Sequence, residues 1–161
     1  MKIAQNKNTL EQGFTLIELL VVIGILAVLL AIVLIAINPA RQFKQANDTK
    51  RRSDVTAILN AIDQYGADNH GTLPGTITST ATNISKAGID LCDSLVTQYI
   101  AALPTDPTTG TDGTTVGKAV NKAACAATYD TGYQVTVASG GDNRVTVSAV
   151  GELDTAISVT R

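Results

Sequence analysis

The chain has 161 residues, the length of one ordinary domain, with 12 basic and 14 acidic side chains and a net charge of −2. This balance excludes a generally basic nucleic-acid-binding protein, and the charged fraction of 16% lies below the usual quarter. Residues 14–37 are almost wholly apolar, whereas the chain beyond residue 70 is rich in Thr, Gly, Ala and Val. The composition therefore predicts a membrane segment followed by a small soluble domain.

The apolar segment at residues 14–37 is long enough to cross a bilayer once. A helix of this length covers about 36 Å, against roughly 30 Å of hydrocarbon. It exceeds the roughly 7–15 apolar residues of a cleaved secretory signal, so such a signal is not expected. Its one charged residue is Glu18. A carboxylate there is tolerated if it reaches the headgroups or if a cation pairs with it, and composition leaves both explanations open.

A second helical pattern follows the apolar segment. Apolar residues recur there at helical spacing and form one face: Val55, Ile58, Leu59, Ile62 and Tyr65. The pattern predicts one helix over residues 14–68. Pro39 is expected to kink this helix or loosen one turn, because proline lacks an N–H group and crowds the preceding turn.

A short basic cluster, Lys50, Arg51 and Arg52, lies within this helical pattern. Lys50 is spaced to pair with Asp54, and Asp48 with Arg51 and Arg52, which predicts ion pairs on the outer faces of the helix. The cluster has no interleaved aromatic residues. Such ion pairs or contacts with other chains therefore explain it better than DNA binding.

The second half of the chain predicts a small sheet. Turn-forming residues that include His70 end the long helix, and a single histidine is expected to occupy a turn rather than to bind metal. Residues 76–85 predict an exposed loop, and residues 90–103 predict a short helix with Leu91, Leu95, Tyr99 and Leu103 near one face. Residues 133–138, 145–149 and 156–159 alternate as three antiparallel strands. The expected fold class is α+β, with a long N-terminal helix packed on a small antiparallel sheet.

Motifs of catalysis are absent from the sequence. It contains no Gly-x-Ser-x-Gly, no phosphate-binding loop, no His-Glu-x-x-His and no Cys-x-x-Cys. The acidic residues are scattered through the predicted loops, where carboxylates are ordinarily solvated. The chain is therefore predicted not to be an enzyme.

Residues 7–20 read KNTLEQGFTLIELL and closely resemble the processing site of type IV prepilins and type II secretion pseudopilins. The resemblance implies a leader over residues 1–13, cleavage between Gly13 and Phe14, and methylation of the new amine of Phe14. It also implies a transmembrane and filament-core helix over residues 14–38 and a periplasmic or extracellular pilin-like domain over residues 39–161. The Leu-Pro-Thr-Asp-Pro sequence at residues 103–107 is similar to an element of the pseudopilins.

The resemblance implies a structural subunit of a type IV pilus-like filament, with a major pseudopilin of a type II secretion system as the alternative. A signal-anchored binding module that never polymerises remains a third possibility. The implied partners are other copies of the chain, a prepilin peptidase and methylase, an inner-membrane platform protein and an assembly ATPase; nucleic acid is not expected. The precursor would cross the inner membrane once and then join a surface filament or a periplasmic pseudopilus.

Orientation is the point on which two signals disagree. Two lysines precede the apolar segment and five basic residues follow it closely, which taken alone would place the C-terminal side in the cytoplasm. The family's processing takes place on the cytoplasmic face, which implies the opposite orientation. The resemblance is preferred here, because charge bias is only a tendency.

The resemblance also gives roles to individual residues. The α-amine created at Phe14 could be neutralised by Glu18 of a neighbouring subunit, which would set the axial register of a filament. In an exported domain, Cys92 and Cys125 favour a disulfide, with two buried free thiols as the alternative. No cofactor is expected; Asp106 and Asp112 are weak candidates for calcium ligands, and the simpler interpretation is that both are ordinary turn residues.

Overall fold

The computed structural model describes residues 13–139 and 144–161. Its contacts divide the chain into two units: the first ends at Gln42, and the second comprises Phe43–Arg161. The helices are α1 (Leu16–Ile37), α2 (Pro39–Asp68) and the short α3 (Cys92–Leu95), with a 3₁₀ turn at Ala124–Ala126. The strands are β1 (Thr82–Ser85), β2 (Asp130–Val137), β3 (Val145–Ala149) and β4 (Ile157–Thr160).

Two helices stand where the sequence predicted one. Asn38 adopts a left-handed conformation with φ of 48° and ends α1, and Pro39 begins α2. Proline disfavours a helical conformation for the residue before it, and asparagine tolerates the left-handed region better than most residues. Pro39 therefore interrupts the helix completely instead of loosening a single turn.

The core of the second unit lies between α2 and the sheet. The predicted apolar face is buried at Val55, Ile58, Leu59 and Ile62 and partly buried at Tyr65. These side chains belong to one hydrophobic cluster with apolar residues of the strands, which include Tyr133, Val135, Val147 and Ile157. The predicted α+β class, with a helix packed on a small antiparallel sheet, is confirmed, and α2 is the helix that packs.

In the described part of the chain, the sheet has four antiparallel strands in the order β1-β2-β3-β4. The three predicted strands correspond to β2, β3 and β4. Residues 140–143, which connect the first two of these strands, lie outside the described residues. Strand β1 falls within the stretch predicted as an exposed loop. It is only four residues long and rich in polar residues, but Ile84 is fully buried and pairing with β2 makes it a strand.

The helix predicted over residues 90–103 is only the single turn α3. The chain leaves the helical conformation after Leu95, and Thr97 has a positive φ of 79°. Leu91, Leu95 and Leu103 are nevertheless fully buried. The apolar spacing therefore predicted the burial of these leucines correctly, although the backbone after Leu95 forms turns instead of the expected helix.

A disulfide joins α3 to the 3₁₀ turn. Cys92 and Cys125 are bonded, with their Cα atoms 5.5 Å apart, and both residues are buried. The structure thus contains the disulfide and not the alternative of two free thiols. The bond closes the loop that contains residues 103–107.

Candidate functional site

The first turn of α1 holds Glu18 in a reciprocal hydrogen-bonding arrangement with Thr15. The backbone N–H and the hydroxyl of Thr15 each donate to Oε2 of Glu18 at 2.8 Å, and the N–H of Glu18 donates to the Thr15 hydroxyl at 3.3 Å. This capping box satisfies donors that a helix start otherwise leaves unpaired. Oε1 of Glu18 accepts no hydrogen bond from the residues that the structure describes.

The surroundings of Glu18 are apolar. Glu18 lines an open groove together with four apolar residues: Phe14, Ile17, Val21 and Val22. No residue of α1 is buried, and the helix is long and apolar enough to cross a bilayer. Soluble monomers rarely expose apolar patches of this extent, so α1 requires either lipid or other protein chains around it.

A second polar site, which sequence reasoning missed, lies in the other unit. The guanidinium of Arg51 is almost fully buried and donates to four side chains: Asp48, Asp106, Thr108 and Glu152. These five residues are termed the Arg51 cluster. Asp106 is held by two bonds, at 2.6 Å from Nε and 3.2 Å from Nη2, while Nη1 lies 2.8 Å from Asp48 and 3.1 Å from Glu152. Paired bonds of this kind are typical of arginine and carboxylate.

The two buried carboxylates of the Arg51 cluster are also bound by backbone groups. Asp48 accepts three consecutive backbone N–H groups, from residues 152–154. Burial by itself raises the pKa of Asp48, but these bonds and Arg51 outweigh it and hold the pKa below its ordinary value. The pKa of Asp106 is lowered in the same way, against burial, by Arg51 and by bonds from Thr108 and Thr109. The cluster thereby ties α2 to two loops distant in sequence.

The basic residues at 50–52 each have an acidic partner. Lys50 lies 2.6 Å from Asp54, as predicted, and Arg52 pairs with Asp154 instead of Asp48. The predicted pair of Asp48 with Arg51 forms, but it is buried and not on an outer face. The three cations at residues 50–52 are therefore largely neutralised within the folded chain.

The two weak calcium candidates are bound to protein groups. Asp106 belongs to the Arg51 cluster, whereas Asp112 pairs with Lys118 at 2.7 Å and accepts bonds from Thr114 and Thr115. Both carboxylates also accept backbone N–H groups two and three residues ahead, which is the turn geometry expected of aspartate. Among residues 13–139 and 144–161, no group of three or more His, Cys, Asp or Glu residues is arranged to hold a metal ion.

His70 occupies the turn in which it was expected. Its φ of 55° places it in the left-handed region two residues after the end of α2, and it is exposed. The N–H of the next residue, Gly71, bonds back to the carbonyl of Gly66 and closes the helix end. The geometry gives His70 a position in the chain reversal.

Together, these features define a class of protein: a small helix-and-sheet domain carried by a chain with an exposed apolar helix, whose one charge lies in its first turn. A family described as the prokaryotic N-terminal methylation motif matches residues 8–34. This match covers Gly13, Phe14 and Glu18. The chain belongs to the family of type IV pilins and type II secretion pseudopilins.

Known relatives of two kinds resemble the chain. It is 35% identical over 108 residues to a type II secretion system core protein G of Escherichia coli K12, covering 60% of this chain and 66% of that protein. The corresponding protein of Aeromonas hydrophila is 40% identical over 60 residues, or 37% and 41% of the two chains. A fimbrial protein of Neisseria meningitidis serogroup B is 43% identical over 102 residues, or 60% and 51%.

The chain thus spans between two fifths and two thirds of the length of these relatives. No solved structure matches it significantly. The N-terminal motif and the exposed apolar helix fit a precursor anchored in the inner membrane that becomes part of a pilus or pseudopilus.

Proposed function

We propose that the chain is the precursor of a structural filament subunit, cleaved between Gly13 and Phe14 and methylated on the new amine. The observation that carries this proposal is α1, an apolar helix of 22 residues without one buried residue, which starts within the matched motif. In the membrane, lipid surrounds this helix. In a filament, the helices of other copies replace the lipid, and the Thr-rich loops of the second unit face the medium.

Glu18 is proposed to set the register of the helices. Its Oε2 is bound by Thr15, but Oε1 has no partner in the described part of the chain. This oxygen can accept a charge-assisted hydrogen bond from the Phe14 amine of another copy. A buried charge without such a bond is costly, so one stagger of the helices is strongly favoured over the others.

The relatives support two end uses. Two of those described above are core proteins of type II secretion and the third is a fimbrial protein, so a secretion pseudopilus is the second candidate beside a surface pilus. Either use requires a prepilin peptidase and methylase, an inner-membrane platform and an assembly ATPase, which we propose as partners. A monomeric binding module would leave the apolar helix permanently in lipid.

The first test is the intact mass and the N-terminal residue of the chain from its native cells. We expect a chain that begins at Phe14 and carries one methyl group. A chain that retains residues 1–13 would exclude the proposal.

The second test compares Glu18→Gln with Asp93→Asn, which also removes one carboxylate but at an exposed position of the second unit. Glu18→Gln should be cleaved and should accumulate in the membrane without forming filaments, whereas Asp93→Asn should assemble normally. Assembly of Glu18→Gln at the normal rate would exclude the register role.

A further inference from the structure

The first two turns of α2, residues 39–46, have an unusual surface. All eight residues are exposed, and burial along α2 begins only at Asn47 and Asp48. We term this segment the neck. It contains two cations, Arg41 and Lys44, and one large apolar side chain, Phe43, which is 72% exposed.

The charges of the neck differ from those of the turns that follow. The segment contains no acidic residue, and no carboxylate of residues 13–139 and 144–161 lies within ion-pairing distance of Arg41 or Lys44. By contrast, Lys50, Arg51 and Arg52 all pair with carboxylates. The neck therefore presents two uncompensated positive charges and a bare aromatic ring.

The position of the neck in the chain suggests what covers it. A helix of the length of α1 covers about 33 Å, so it crosses the roughly 30 Å of hydrocarbon with little to spare. Only Asn38 separates the end of α1 from the start of the neck. It therefore enters the headgroup layer, where aromatic rings and the donors of lysine and arginine are favoured.

We propose that the neck binds the phosphates of anionic lipids at the membrane surface beyond the end of α1. Arg41 and Lys44 donate hydrogen bonds to lipid phosphates, while the ring of Phe43 lies at the boundary of headgroups and acyl chains. At about 100° per residue, the three side chains point to different sides of α2, as contact with surrounding lipid requires. This inference rests on the proposed function, because it assumes that α1 spans the membrane.

The main rival to lipid is an acidic surface on a second copy of the chain. The chain offers few carboxylates for such a surface, since most described carboxylates already form ion pairs within the chain. Only Glu18, Asp68 and Asp130 among the described acidic residues stand outside those pairs. A membrane with anionic lipids, in contrast, offers a phosphate at every headgroup.

The test uses the absence of tryptophan from the chain. Full-length Phe43→Trp is reconstituted in phosphatidylcholine vesicles with and without phosphatidylglycerol, and its fluorescence is quenched by spin labels on the lipid headgroups. Val116→Trp, at a position 61% exposed in a loop of the second unit, is the control for an aqueous environment. Ile25→Trp, in the middle of α1, is quenched by labels at the acyl-chain ends and reports whether α1 spans.

We expect headgroup labels to quench Phe43→Trp strongly and Val116→Trp weakly. A label on the anionic lipid should quench Phe43→Trp more than the same label on the zwitterionic lipid. Adding Arg41→Gln and Lys44→Gln should lower this preference about fivefold for each cation removed, the factor that one surface cation contributes.

Three outcomes would overturn the proposal that the neck binds lipid. If Ile25→Trp is not quenched, α1 does not span the membrane, and the membrane anchor of the proposed function fails together with the lipid-binding neck. If Ile25→Trp is quenched but Phe43→Trp behaves like Val116→Trp, only the lipid-binding neck fails. If the tryptophan of Phe43→Trp becomes more shielded from the headgroup labels as the protein-to-lipid ratio rises, and lipid charge has no effect, the neck contacts a second copy instead of lipid.

Discussion

Removing the guanidinium of Arg51 should destabilise the second unit more than removing the charge of either neighbouring cation, Lys50 or Arg52. The variant Arg51→Met keeps most of the side-chain volume but removes the charge partner of two buried carboxylates, Asp48 and Asp106, and of the partly exposed Glu152. The side chains of Arg51, Asp48 and Asp106 are 2%, 5% and 4% exposed. Water therefore cannot replace the lost bonds without opening the structure around them.

The expected loss follows from this burial. Breaking one partner out of a buried ion pair costs about 3–5 kcal/mol, because a charge is left buried and uncompensated. Here both carboxylates keep backbone N–H bonds, three for Asp48 and two for Asp106. Because these bonds remain, the expected loss of unfolding free energy lies near the lower end of that range, at about 3 kcal/mol. Arg52→Gln is the matched control; its pair with Asp154 is half exposed and should contribute at most about 1 kcal/mol.

The assay is urea unfolding of the full chain in detergent micelles, followed by tyrosine fluorescence. Tyr129 and Tyr133 are buried in the second unit and report on its packing. At a typical slope of about 1–3 kcal/mol per molar urea, the midpoint should fall by roughly 1–3 M for Arg51→Met. An Arg51→Met midpoint no lower than that of Arg52→Gln would show that the cluster does not hold the loops, and the reasoning would fail.

Further predictions concern acid, the disulfide and two glycines. The two buried carboxylates of the Arg51 cluster have lowered pKa values in the fold, so the stability that they contribute is present above their ordinary pKa of 3.8 and is lost as the pH falls below it. The free energy of unfolding should therefore decline as the pH falls below about 4. A free energy of unfolding that stays constant over this pH range would contradict the prediction. Replacing Cys92 and Cys125 together by serine should cost about 3–4 kcal/mol in urea unfolding, from the freedom that the unfolded chain regains, and an unchanged midpoint would contradict it. Gly132→Ala should destabilise by more than about 1 kcal/mol, because φ is +75° and the new Cβ would lie 2.8 Å from the Cβ of Asp106. Gly66→Ala, at a buried position of α2 where the new Cβ would lie 4.0 Å from the carbonyl oxygen of Thr72, an ordinary contact, should stabilise by up to about 1 kcal/mol in the same measurement.

The N-terminal half could be predicted largely because its signals are contiguous. A long apolar run, the residues around Gly13 and the spacing of apolar side chains in α2 each lie within one stretch of chain. Their consequences depend on neighbours a few positions away. Even the error at Asn38 was local: Pro39 was expected to disturb the helix, and only the extent of the interruption was underestimated.

The Arg51 cluster could not be predicted from such signals. Arg51 is 55 residues from Asp106 and 101 residues from Glu152. The spacing of Asp48 and Arg51 indicated a pair, but spacing alone cannot tell a solvated pair from a buried one. Likewise, Asp106 was considered as a calcium ligand because its chemistry suits a cation; the fold supplies a guanidinium as that cation.

Strand β1 and the end of α3 show the same division. Four residues carry too little alternation to reveal a strand, and β1 exists because β2 offers it an edge for hydrogen bonding. After Leu95, the apolar residues still reach the core, although the backbone follows turns. Burial was readable from residue type, while backbone conformation depended on partners supplied by other segments.

By itself, the sequence determined which helix is long and apolar enough to cross a bilayer, because transfer of apolar side chains from water sums residue by residue along a continuous run. It also determined the family, through residues that adjoin one another at the start of that run. Only the tertiary structure decided which charges are buried together, which loops α2 holds and which short segment becomes a strand. Those outcomes depend on distances between groups remote in sequence, and folding alone sets these distances.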